Sequence, residues 1–101
     1  MIPLDELCRS LGAEETEVRG WVAAGYVVAT EERFGEADVA RVRLIYELRY
    51  QMNVVEEDLD LVLNLLDQVY GLRRELTALA QAVSRQPDAV RSAIAAAMKG
   101  E

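Results

Sequence analysis

The chain has 101 residues, 18 acidic against 11 basic, with a formal net charge of −7 and a pI near 4.6. That length makes one small domain with at most an appended helix, and the acidic balance argues against nonspecific affinity for nucleic acid or anionic membranes. With no histidine and a single cysteine, Ser-His and Cys-His nucleophile pairs, a histidine-bearing zinc site and an internal disulfide are all excluded.

Helix 1 is expected to start at Pro3, a residue suited to the first helical position, with Asp5 and Glu6 complementing the N-terminal dipole. Leu4, Leu7, Cys8 and Leu11 form one apolar face, so Cys8 reads as a small buried hydrophobe, and Gly12 supplies the stop. Helix 2 is expected from Glu14 to Ala24, with Val18, Trp21 and Val22 facing the core and Gly25 ending it. Tyr26-Val27-Val28-Ala29 is β-prone, Thr30-Glu31-Glu32 can turn and Arg33-Phe34 can return, which predicts a minimal hairpin.

Helix 3 is expected from Glu36 to about Met52, with Val39, Val42, Ile45, Tyr46 and Leu48 as its apolar positions. The β-branched stretch Asn53-Val54-Val55 should break it. Glu56, Glu57 and Asp58 then form the acidic first turn of a longer fourth helix. Here Val62, Leu65, Val69, Leu72, Leu76, Leu79 and Val83 alternate by three and four residues, an unbroken heptad seam. A second stripe, Leu59, Leu63, Leu66 and Tyr70, lies on a neighbouring face and is expected to pack on the head. Little unassigned apolar surface remains to cover the seam, which predicts a homodimer through this helix, the two helices parallel or antiparallel. Gly71 weakens the helix locally, at a point where helices could approach closely. From Pro87 onward a short helix carrying Val90, Ile94 and Met98 competes with a frayed tail. The expected division is therefore a head with helix 3 over 1–54, the long seam helix over 55–85 and the tail over 86–101.

Chemistry-bearing motifs are sparse. No spaced acidic loop with a central glycine suits calcium, and no glycine-rich run follows a strand to cradle phosphate. No stretch is apolar enough for a bilayer span, and Met1 to Glu6 lacks a basic region followed by an apolar run. The residues point to a non-enzymatic cytoplasmic protein without cofactor or metal.

Residues 2–35 have the layout of a winged helix-turn-helix, and several motifs resemble the MerR-type head. Leu7-Cys8 stands at its apolar-alanine pair, Gly12 at its turn glycine, Val18-Arg19-Gly20-Trp21-Val22 at its Leu-Arg-aromatic-aromatic-Glu signature, and Gly25-Tyr26-Val27 at its glycine-plus-apolar exit. The resemblance covers about two thirds of the chain and implies a mainly α fold with a minimal β-wing followed by a long dimerisation helix. It also implies DNA contacts at Arg19 and Trp21, with Arg33 in the wing. Gly20 and Val22 depart from the signature, and the reading helix opens with Glu14, Glu15 and Glu17, which phosphates would repel. Residues 1–45 hold nine acids against five arginines, a net of −4.

Val42-Arg43-Leu44-Ile45-Tyr46-Glu47-Leu48, then Leu59 and Leu63-Asn64-Leu65-Leu66-Asp67-Gln68-Val69, resemble the bacterial chaperone-modulator family, CbpM, over almost the whole length. That resemblance implies an inhibitor that binds the J-domain of a DnaJ/CbpA-like co-chaperone and blocks its cooperation with DnaK. A basic J-domain helix calls for an acidic surface. Glu56, Glu57, Asp58 and Asp60, with Leu61, Val54 and Val55 beside them, are the preferred candidates, and Glu14, Glu15, Glu17, Glu31 and Glu32 are a second group. A solvated helix start is the plain alternative for either cluster. Two rival functions stay open: a MerR-type DNA-binding regulator, and an adaptor whose seam binds an unrelated helix.

Overall fold

The structure, a computed structural model, describes residues 1–100. Among them the fold is mainly helical: α1 (Leu4–Leu11), α2 (Glu15–Ala23), α3 (Glu36–Tyr50), α4 (Glu56–Ser84) and α5 (Asp88–Lys99), with a two-stranded sheet of β1 (Ile2–Pro3) and β2 (Arg33–Phe34). The chain divides into two compact units, residues 1–64 and residues 65 onward, with the division inside the continuous helix α4.

In the first unit the apolar positions of five elements converge. Leu4, Leu7 and Cys8 from α1, Val18 and Trp21 from α2, Val27, Phe34, Val42, Ile45 and Leu48 from α3 and its approach, and Leu59 and Leu63 from α4 are all buried. Side chains three or four residues apart share a helix face, so each helix of this unit turns one stripe inward. Of the second stripe foreseen on α4, Leu59 and Leu63 join this core, whereas Tyr70 lies exposed. Val22, expected inside, is half-buried.

Helix ends follow backbone chemistry. Gly12 takes φ +75° after α1, and its N–H and that of Ala13 both donate to Cys8 O, at 2.8 and 3.0 Å. An L side chain there would meet the left-handed penalty that glycine avoids. Before α3, the Gly35 N–H donates to Asp38 Oδ2 at 3.3 Å, satisfying a donor the helix cannot. α3 stops at Tyr50, short of Met52, because Asn53 adopts φ +57° and the Val54 N–H turns back to Leu48 O at 2.8 Å. Asn is among the few non-glycine residues that accept this conformation.

Two local expectations are corrected. Pro3 is not the first residue of α1: it precedes the helix in extended conformation (φ −74°, ψ 160°) within β1. The return strand Arg33–Phe34 pairs with that N-terminal segment, Ile2 opposite Phe34 and Pro3 opposite Arg33, and residues 26–29 form no strand. Only a single bridge, Thr30 to Arg33, closes the turn on the other side. Burial explains the exchange. Phe34 is driven into the core beside Leu4, and the Leu4 N–H, otherwise an orphan of the first helical turn, donates to Glu32 O at 3.0 Å.

That turn is tight. Thr30 and Arg33 exchange both backbone hydrogen bonds, at 3.1 and 3.0 Å, while Glu31 and Glu32 both hold positive φ, +53° and +56°. Such a two-residue connection normally takes Asn-Gly. Glutamates there store about 1 kcal/mol or more each.

In the second unit, α4 continues to Ser84, whose Oγ donates to Gln81 O at 2.7 Å. The Gln86 N–H returns to Val83 O at 3.0 Å, and Pro87 in extended conformation starts α5. Of the two alternatives open for the tail, the helix is present. Among the described residues no helix is long and apolar enough to cross a membrane.

Candidate acidic partner surface

α4 opens with four acids in five residues, all of them exposed, but they do not share one environment. Glu56 faces the head: its Oε1 accepts a hydrogen bond from Trp21 Nε1 at 3.4 Å and lies 3.7 Å from Arg49 Nε, an ionic contact beyond hydrogen-bonding reach. A buried indole N–H needs an acceptor, and the first turn of α4 supplies it. Glu56 is thus a tether. Glu57, Asp58 and Asp60 are exposed carboxylates beside exposed Val55 and Leu61, while Val54 is half-buried with its N–H spent on Leu48 O. The remaining patch joins three negative charges to two aliphatic side chains, a composition suited to a basic, amphipathic protein surface.

The second acidic group is largely committed to internal contacts. Arg19 Nε donates to Glu32 Oε1 at 2.7 Å, and its Nη2 reaches Glu32 Oε2 and Glu15 Oε1, both at 3.3 Å. The hydrogen bond from Arg19 holds the Glu32 carboxyl below its ordinary range and raises the guanidinium in turn. Glu17 accepts a short hydrogen bond from Tyr50 OH, which pushes the Tyr50 phenol up to about 12, with burial and the Glu17 charge adding to the effect. Tyr50 also stacks obliquely on half-buried Tyr46, ring centroids 4.9 Å apart, with the Arg49 guanidinium 5.2 Å from its ring centre. Glu14 and Glu31 are exposed.

The three residues considered for DNA fare unequally. Trp21 is only 2 % exposed and lies in the core, Arg19 is clasped by two carboxylates, and Arg33 is exposed on β2. Cys8 is buried, and its thiol is pushed up first by that burial and then by the charge of Glu15, which keeps it protonated and unreactive. Among the described residues no three His, Cys, Asp or Glu side chains are grouped to hold a metal ion.

Along the seam, Val62 and Val83 are half-buried, whereas Leu65, Val69, Leu72, Leu76 and Leu79 are exposed. The tether formed by Glu56 had no local signal, since its partner stands 35 residues away; a tryptophan N–H in need of an acceptor is the one hint the chain offers. Compared with family models, with curated proteins and with solved structures, the chain matches none.

Proposed function

We propose that the protein is a non-enzymatic chaperone modulator of the cytoplasm, with a MerR-like winged helix-turn-helix head. It binds the J-domain of a DnaJ/CbpA-like co-chaperone and, as a homodimer through α4, competes with DnaK for that domain. The observation that carries the reading is the state of the charges. Glu57, Asp58 and Asp60 stand exposed beside Leu61, while Arg19, the head cation a DNA reader would need, is held by Glu32 and Glu15. The first arrangement favours a basic protein helix, and the second works against phosphate, because releasing Arg19 would break two ion pairs and leave two carboxylates facing the DNA.

The experiment is a salt-titrated binding assay with a purified J-domain and duplex DNA in parallel. J-domain binding that weakens as salt rises is expected, with a loss of at least tenfold when Glu57, Asp58 and Asp60 are all replaced by lysine. Tight DNA binding without affinity for the J-domain would reject the reading in favour of a DNA-binding regulator.

A further inference from the structure

We infer that α5 forms part of the contact between two copies of the chain, its row Val90, Ile94 and Met98 packing with the α4 seam of the second copy. The inference rests on the homodimer proposed above and extends it from one helix per copy to two.

Beyond Leu63 no described residue is buried, although the chain continues through most of α4 and all of α5. Two helices without a core are marginal in water, since helical stability in proteins comes chiefly from packing an apolar face. Both have such a face uncovered. On α4, Leu72, Leu76 and Leu79 are 63, 67 and 60 % exposed, and on α5 Val90 and Met98 are 42 and 72 % exposed. Beyond Leu63, only Val83 and Ile94 of the two rows are half-buried.

Area and charge name the occupant. By their fractional exposure the seam side chains present roughly 500 Å² of surface and the α5 row raises this to roughly 700 Å², enough for the apolar part of a stable interface of ~800 Å² per partner. Residues 1–64 hold fourteen acids against six basic residues, a net of −8, while residues 65–101 hold four against five, a net of +1. Two copies can therefore meet through the nearly neutral part of the chain without like-charge repulsion. A two-fold pair also offers each row a matching one, giving a four-helix contact.

The test is sedimentation equilibrium on the full chain, comparing the wild type, L72D, and the triple variant V90A, I94A, M98A. Alanine maintains the helical propensity of α5 while removing its apolar row, and the emission of Trp21 reports whether the head stays folded. The triple variant is expected to raise the dimer dissociation constant at least tenfold, and L72D to leave a monomer. A wild-type constant in the triple variant, with L72D dissociated, would overturn the role of α5 and leave the dimer standing. A monomeric wild type would overturn the dimer itself, and a dimer indifferent to L72D would overturn the α4 seam as its interface and the α5 contact with it.

Discussion

Trp21 Nε1 donates to Glu56 Oε1 across 3.4 Å, so the one tryptophan of the chain holds the first turn of α4 against α2. The indole is buried and the carboxylate sits at the surface, which places a charged acceptor where a hydrophobic side chain would leave the N–H unpaired. E56A should therefore lower stability by about 1–2 kcal/mol, and E56Q, which retains an acceptor, by less. E57A, one residue on, should stay within about 0.5 kcal/mol of the wild type. Urea unfolding followed by Trp21 emission separates the three.

Tyr50 supplies a pH dependence. Its phenol is raised to about 12 from an ordinary 10.0, chiefly because its O–H donates to Glu17. A group whose pKa is raised by folding contributes its stabilisation fully below the unfolded value and loses it as pH rises through the folded one. The contribution should thus be intact at neutral pH and vanish between pH 10 and 12. Phenolate absorbance should show a late-titrating tyrosine that Y50F removes, and Y50F should flatten the fall in stability over the same window.

The Glu31-Glu32 turn holds two left-handed residues of a type that resists the conformation. E31N should raise stability by about 0.5–1 kcal/mol, since asparagine adopts that conformation more readily. Glu32 is the poor choice for the same exchange because it also carries the Arg19 ion pair. Thermal melts of E31N and E32N test the difference: a gain is expected for the first alone.

Gly71 lies within α4, and a methyl group there would meet nothing nearer than Arg74 Nη2, at 3.9 Å. G71A should stabilise the helix by about 0.5–1 kcal/mol, read from the helical signal on heating. The dimer constant should be unchanged or tighter. Weaker association would show instead that the glycine admits a close approach between copies.

The helices were legible because their information is local. Gly12 and Gly25 punctuate the head, the break at Asn53 ends α3, and the stripe Leu59–Leu63 identifies the face of α4 that enters the core. The sheet was not legible. Residues 26–29 have good strand composition, yet β2 pairs with Ile2–Pro3, because two-residue strands carry almost no pattern and the pairing is decided by the burial of Phe34 beside Leu4.

The acidic run at the start of α4 could be read from the residues alone, as could the uncovered seam, because charge and heptad spacing are properties of consecutive positions. Which acids meet another side chain is visible only in the tertiary structure. Glu56 and Glu57 are neighbours of identical chemistry, but α2 brings Trp21 to one of them, and the return turn brings Glu32 to Arg19. Sequence determines where helices form and which face is apolar; the fold decides which charges meet, since those partners stand 35 and 13 residues apart.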